Sequence, residues 1–169
     1  VLSGKVNPSG KLPFSFPVKL EDCGAHSFGD ICYPGDSINE KYLEDILVGY
    51  RWHDTKKIAP KYSFGHGLSY TDFTYGKAEL SSKTIAADGS ITLSIPVTNT
   101  GKSAGKEVVQ LYIGDDKASV FRPLKELKGF SKISLAPGET KNVTFTITPD
   151  DLKFYDETTK GWIAEPGKF

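Results

Sequence analysis

The sequence has no methionine, only two cysteines and no excess charge of either sign. Methionine is missing even from position 1, so we expect the chain to be a fragment of a larger product. The 21 basic residues balance 21 acidic ones, which gives a net charge of zero. Because no field of one sign surrounds the chain, neither nucleic acid nor an anionic membrane is expected as a partner.

Long apolar runs are also missing. No segment approaches the roughly 18 apolar residues that a membrane-spanning helix needs, and the chain does not open with the basic and apolar regions of a signal peptide. With 38% apolar and 25% charged residues, the composition is that of an ordinary globular chain. We therefore predict one main domain in aqueous solution, with no membrane contact.

Metal ligands in a recognised pattern are absent as well. Cys23 and Cys32 allow one short disulfide or two free thiols, and the sequence leaves both open. His26 lies between them, but the spacing matches no zinc pattern and a fourth ligand is missing. The acidic pairs at residues 115–116 and 150–151 lack the alternation of a calcium loop and indicate solvated turns. No metal and no cofactor are predicted.

The composition and the hydrophobic periodicity of the sequence change near Phe73. Before it, glycine, proline and aromatic residues alternate with little periodicity. This indicates turns and short strands, including an apolar run at residues 46–52, with one helical turn near residues 39–45. Irregular backbone with many aromatics needs partners for its polar groups, so we expect this stretch to pack on a neighbouring domain.

After Phe73 the apolar residues alternate with polar ones, as in half-buried strands. Residues 91–97 and 143–147 show this most clearly, and residues 109–113 indicate a further strand. Turn residues separate the segments at the spacing of an antiparallel β-sandwich. Pro96 cannot donate to a β-ladder, so its strand is predicted to lie at a sheet edge or to be bulged there.

Several segments occur together in a recognisable order, and they resemble the C-terminal part of glycoside hydrolase family 3 enzymes. The first group is GKLPFSFP at residues 10–17, VGYRWHD at 48–54 and FGHGLSYT at 64–71. The second group, at residues 97–101, 104–112, 122–130 and 137–140, is similar to the fibronectin-type-III-like domain of that family. The resemblance implies an all-β chain, an immunoglobulin- and fibronectin-type-III-like antiparallel β-sandwich with a loop-rich N-terminal extension.

The resemblance also implies a division of the chain and a place for the chemistry. Residues 1–20 would be a remnant of an upstream α/β domain, 21–72 an interdomain connector packing on the sandwich, and 73–169 the sandwich without its final strand. The two carboxylates of a retaining β-glucosidase would lie in the upstream domains, so no catalytic residue is expected here. The missing strand would leave an open sheet edge, and self-association through it is a hypothesis.

Arg51, His53 and Asp54 form the most chemically varied cluster of the sequence. A histidine beside a carboxylate is able to do acid–base work, but no nucleophile lies near it in the sequence. The three residues lie where the predicted strand at 46–52 passes into a loop, and a salt bridge or an interdomain contact is the favoured interpretation.

Trp52, Tyr155 and Trp162 are the candidates for carbohydrate binding, because aromatic faces stack on sugar rings, with Trp162 preferred. Aromatic residues in a small sandwich more often serve as core or interface anchors.

Three functions follow from this pattern and resemblance. The preferred one is a non-catalytic domain that supports the catalytic domains of a β-glucosidase-type enzyme in β-glucoside breakdown, with those domains as partners and secretion or a periplasmic location implied by the family. The alternatives are a carbohydrate-binding module with an oligosaccharide partner and an adhesive or receptor-type sandwich.

Overall fold

The computed structural model describes residues 1–169, and most of its regular elements are strands in antiparallel sheets. This confirms the predicted β-rich character. None of its helices has the length and apolarity to cross a membrane. The α-helices are α1 (Tyr50–Lys56) and α2 (Pro149–Leu152), and single 3-10 turns lie at Leu20–Asp22 and Gly24–His26. The strands are β1 (Phe73–Tyr75), β2 (Glu79–Leu80), β3 (Ile91–Asn99), β4 (Gly105–Ile113), β5 (Glu126–Leu135), β6 (Thr140–Ile147), β7 (Phe154–Asp156) and β8 (Gly161–Ile163).

The chain divides into two compact units that interleave along the sequence. The first unit contains Val1–Gly10, Leu68–Ile113 and Leu127–Phe169. The second contains Lys11–Gly67 and Gly114–Glu126.

Strand β3 is the centre of the main sheet in the first unit. It pairs with β1 and β2 on one side and with β6 on the other. The β3–β6 register runs unbroken from Ile91 opposite Ile147 to Thr98 opposite Thr140, so the two strands predicted from their alternation are confirmed. Strands β4 and β5 pair in a second sheet, and β7 and β8 form an antiparallel hairpin.

The core of the first unit draws on both of its larger sheets. Val97 of β3 and Val143 of β6 are buried in one apolar cluster with Val109 of β4 and Leu135 of β5. Their alternation with exposed threonines places every second side chain on the inner face. Burial of these side chains is the main source of stability that the first unit shows.

Pro96 lies inside the sheet, so the prediction of an edge strand is wrong. Tyr75 opposes Val97 and Glu79 opposes Ser94. Three residues of the β1–β2 segment, 76–78, therefore face two residues of β3, 95–96. The predicted alternative, an irregularity, is therefore present, but the extra residue lies on the partner. Gly76 donates its N–H to the Pro96 carbonyl at 2.8 Å, and a Cβ on Gly76 would come within 2.6 Å of the proline ring.

Asn99 ends β3 with its side chain fully buried and fully hydrogen-bonded. Its Oδ1 accepts from the Thr71 hydroxyl at 2.6 Å and from the Gly101 N–H at 3.1 Å. Its Nδ2 donates to the carbonyls of Ser103 at 2.8 Å and Leu135 at 3.1 Å. The Asn99 amide thus connects three separate segments of the first unit. A buried polar side chain stabilises a low-dielectric interior when each of its donors and acceptors has a hydrogen-bond partner, as is the case here.

The second unit has little regular structure apart from α1, and here the sequence prediction was wrong in two places. The apolar run predicted as a strand instead leads into α1, which begins after Gly49 at a φ of 61°. The predicted helical turn near residues 39–45 is a set of turns, with Asp45 at a φ of 57°. A helix of only seven residues is too short to be stable by propensity, so contacts of its side chains must hold it.

Candidate functional site

A cluster of charges lies in the second unit around Arg122. Its Nη1 is 3.4 Å from Asp115 Oδ2, and its Nη2 is 2.7 Å from Glu126 Oε2. The Arg122 side chain is only 9% exposed, and that of Asp115 is 6% exposed. Two carboxylates on different nitrogens of one guanidinium use the fixed fork of arginine, which lysine could not reproduce.

Helix α1 adds two more ion pairs to this cluster. Arg51 Nη2 lies 3.1 Å from Glu126 Oε1, and Asp54 Oδ2 lies 3.1 Å from Lys125 Nζ. Residues three apart on a helix share a face, which explains why both side chains reach the same segment. We call these six residues, with three positive and three negative charges, the Arg122 cluster: Arg51, Asp54, Asp115, Arg122, Lys125 and Glu126.

His53 belongs to α1 but has a different partner. Its ring is buried, and Nδ1 lies 3.0 Å from the carbonyl oxygen of Ile58. The Ile58 N–H in turn donates to the His53 carbonyl at 2.9 Å. The histidine thus secures the end of α1, and the Arg51 and Asp54 side chains form ion pairs with the Gly114–Glu126 segment instead.

The acidic pair at residues 115–116 differs from the solvated turn that the sequence indicated. Asp115 is almost buried against Arg122, and its Oδ1 also accepts the Lys117 N–H at 3.1 Å. The signal for this pairing is weak in the sequence, because Asp115 and Arg122 lie seven residues apart in a loop and their approach depends on how that loop closes.

Trp52 is buried in the second unit, with 5% of its surface exposed. Its Nε1–H donates to the Asp22 carbonyl at 2.9 Å. The ring of Phe28 packs edge-on at 5.8 Å, and the Lys56 ammonium lies 5.4 Å from the indole centroid. This is an anchor of the unit, so its ring is not available for stacking on a sugar.

Tyr155 and Trp162 face each other across the β7–β8 hairpin of the first unit. They are 48% and 67% exposed, with ring centroids 5.9 Å apart and an interplanar angle of 74°. The structure brings these two predicted residues together, but their rings are edge to face rather than coplanar.

Cys23 and Cys32 are both free thiols, with Cys32 buried. Burial raises the pKa of the Cys23 thiol, and the charge of Asp22 raises it further, so the reactive thiolate is disfavoured. No group of three or more histidine, cysteine, aspartate or glutamate side chains is arranged to hold a metal ion.

An open cleft of about 450 Å³ lies in the first unit beside the N-terminal segment. Asn7 fixes that segment, because its Nδ2 donates to the Ala104 carbonyl and its Oδ1 accepts from the Ser69 hydroxyl and the Tyr70 N–H. Lys106 and Lys141 line the cleft, and Lys141 is paired with Glu139 at 3.1 Å.

Comparison with family profiles assigns both ends of the chain. Residues 1–70 match the glycosyl hydrolase family 3 C-terminal domain, and residues 107–169 match a fibronectin type III-like domain. The chain thus carries a glycosyl hydrolase family 3 C-terminal domain followed by a fibronectin type III-like domain. The Gly114–Glu126 segment lies within the fibronectin type III-like match, yet it shares a compact unit with Lys11–Gly67.

Several similar proteins are named β-glucosidases, and the chain matches their C-terminal region. It is 63% identical over all of its 169 residues to β-glucosidase BoGH3A of Bacteroides ovatus and 46% identical to the periplasmic β-glucosidase of Salmonella typhimurium. It spans 23% and 21% of the lengths of these two proteins. The crystal structure of DesR, a β-glucosidase from Streptomyces venezuelae in complex with D-glucose, matches 96% of the chain at a TM-score of 0.88 and 40% identity, over 20% of its own length.

Proposed function

We propose that this chain is the non-catalytic C-terminal part of a β-glucosidase-type glycoside hydrolase and that it supports the catalytic domains of that enzyme in β-glucoside breakdown. The observation that carries the proposal is the match of the entire chain, at 63% identity, to 23% of a β-glucosidase. The partner is accordingly the remainder of the parent enzyme.

The charges of the chain support a non-catalytic role. A retaining glycosidase needs two carboxyl groups about 5 Å apart on either side of the scissile bond, one protonated and one ionised. In the Arg122 cluster each of the three carboxylates forms an ion pair with a cation of the same unit. Carboxylates held in this way have a structural role, which supports the proposal that the two catalytic carboxylates belong to the remainder of the parent enzyme.

The finer architecture is part of the same proposal. Residues 73–169 form an immunoglobulin- and fibronectin-type-III-like sandwich, residues 21–72 a connector that packs on it, and residues 1–20 a remnant of the α/β domain. The shared core of β3, β6, β4 and β5 supports the sandwich. The name of the Salmonella typhimurium relative supports a secreted or periplasmic location.

A chimera tests the support function directly. The C-terminal region of the Bacteroides ovatus relative is replaced by this chain, and hydrolysis of a chromogenic β-glucoside is measured beside a version from which the region is deleted. We expect turnover by the chimera, none by the deletion and none by the isolated chain. Turnover by the isolated chain, or a deletion as active as the chimera, would contradict the proposal.

Carbohydrate binding is the second candidate function, and the exposed pair of Tyr155 and Trp162 favours it. Isothermal titration of the chain with cellobiose, laminaribiose and a soluble β-glucan tests it. Saturable heat of binding that is abolished by Trp162→Ala supports binding at the hairpin. Phe130→Ala is the control and should leave the heat unchanged, because Phe130 is equally exposed elsewhere in the first unit. No heat at millimolar sugar contradicts it.

Self-association through an open sheet edge stays a prediction for this chain, and light scattering showing a monomer at high concentration would remove it. An adhesive or receptor-type role has no further feature in its support.

A further inference from the structure

The segment Gly114–Glu126, which joins β4 to the first residue of β5, is a loop whose two ends lie close together. A Cβ on Gly114 would come within 2.5 Å of the Leu124 carbonyl oxygen, so only glycine allows the two ends to approach this closely. The Leu124 N–H donates to the Thr55 hydroxyl of α1 at 3.1 Å. Compact surface loops whose ends meet in this way are frequently functional.

Three charged side chains of this segment, those of Asp115, Arg122 and Glu126, are largely buried. Asp115 and Arg122 pair across the loop, and the ion pairs of Lys125 and Glu126 fix its C-terminal end to α1. Nearly buried ion pairs are costly unless they are complete, and their usual benefit is conformational specificity. We infer that the ion pairs of the Arg122 cluster hold this loop in a single conformation.

The apolar side chains of the same loop are turned outward. Phe121 and Leu124 are each 56% exposed, and Val120 is exposed beside them. A segment that largely buries three charged side chains while its large apolar ones lie in solvent departs from the usual distribution of residues. An exposed apolar patch of this kind marks an interaction surface.

We propose that Val120, Phe121 and Leu124, the apolar tip, dock on an uncharged apolar surface of the catalytic part of the parent enzyme. This inference rests on the proposed function. The three cations and three carboxylates of the Arg122 cluster pair with one another within the second unit. The cluster therefore needs no charged partner, and the exposed side chains of the apolar tip match an apolar surface. It is the parent enzyme because the loop shares a compact unit with residues of the family 3 C-terminal domain, and the relatives extend far beyond the 23% that this chain matches.

The second unit as a whole supports this choice of partner. Its buried apolar side chains are few, namely Cys32, Leu47 and Trp52. Many of its large apolar side chains are exposed, as expected for a surface that more protein covers: Phe14, Phe16, Val18, Leu20, Phe28, Tyr33, Ile38, Tyr42, Leu43, Ile46, Val48 and Tyr62.

Hydroxyl-radical footprinting by mass spectrometry tests the apolar tip. Oxidation of Phe121 is compared between the isolated chain and the active chimera with the Bacteroides ovatus relative. We expect at least fivefold protection of Phe121 in the chimera. Phe130, the same residue type at 69% exposure on β5, is the matched control and should show less than twofold protection.

A substitution separates docking from folding. Phe121→Asp should leave the thermal midpoint of the isolated chain within one degree, because the side chain is exposed, and lower that of the chimera by several degrees. Phe130→Asp should shift neither. An active chimera in which Phe121 is oxidised as fast as in the isolated chain, or in which Phe121→Asp is silent, contradicts the docking inference alone. An inactive chimera contradicts the proposed function and removes the inference with it.

Discussion

Each of the two compact units of this chain is stabilised by a different kind of internal contact. The first unit buries Val97, Val109, Leu135 and Val143 from two sheets in one cluster, and Asn99 is satisfied within it. The second unit buries few apolar side chains and relies on Trp52, on turns and on the Arg122 cluster. Apolar burial needs no specific partner geometry, whereas ion pairs and irregular turns do.

This difference predicts that the two units respond differently to the same kind of substitution. In the first unit, a defect in the core should unfold the sheet cooperatively. In the second, loss of one anchor should open the unit locally while the first unit stays folded.

Asn99→Asp should destabilise the first unit most, by about 3–5 kcal/mol, because a buried carboxylate cannot donate to the carbonyls of Ser103 and Leu135. Urea unfolding followed by circular dichroism measures the free energy. Asn142→Asp is the matched control, since Asn142 is exposed on β6, and it should cost less than about 0.5 kcal/mol. Equal effects of the two substitutions would contradict the role given to Asn99.

Arg122→Gln should destabilise the second unit by about 2–4 kcal/mol, since it leaves Asp115 and Glu126 without their nearly buried cation. Arg51→Gln removes an ion pair to the same Glu126, but from a side chain that is 36% exposed, and should cost less than about 1 kcal/mol. Hydrogen exchange of α1 amides distinguishes the two. A larger destabilisation by Arg51→Gln than by Arg122→Gln would show that the exposure of the arginine does not determine how much its ion pair stabilises the second unit.

The units also differ in how far their structure is predictable from sequence. Period-two alternation predicted β3 and β6, because a strand half buried on one face imposes that pattern directly. The helix α1 was missed because it has seven residues, follows an apolar run and depends on Trp52 and His53 for anchoring. Local propensity is a weak signal when tertiary contacts decide.

The candidate site shows the same limit. Arg51, His53 and Asp54 were predicted to form a salt bridge or an interdomain contact, and in the structure Arg51 and Asp54 form ion pairs. Their partners, Glu126 and Lys125, lie about 70 residues away in the sequence. No pattern in the sequence pairs charges across such a distance, because the approach depends on how the β4–β5 loop closes around Arg122.

Trp52→Phe should have a smaller effect, about 1–2 kcal/mol on the second unit, because it keeps an aromatic ring and removes the N–H that bonds the Asp22 carbonyl. Faster hydrogen exchange at residues 20–28, with the first unit unchanged, is the expected result. Trp162→Phe, on the exposed hairpin of the other unit, should change neither. Loss of protection in both units would contradict their independence.

The smallest effect is a pH dependence of the β7–β8 hairpin. The Asp156 carboxylate accepts the Thr159 hydroxyl at 2.6 Å and the N–H groups of Thr159 and Thr158 at 3.0 and 3.2 Å, and these bonds lower its pKa. A carboxyl whose pKa is lowered by folding stabilises the folded form above its ordinary pKa of about 3.9, and this stabilisation is lost as the pH falls through the lowered value. In Trp52→Phe, Trp162 is the sole tryptophan of a chain that has two, so its fluorescence reports the hairpin alone. We expect a change below about pH 4 that Asp156→Asn abolishes, whereas a transition that persists in Asp156→Asn would assign it to another carboxyl, such as Asp36 or Glu139, whose pKa is also lowered by hydrogen bonds.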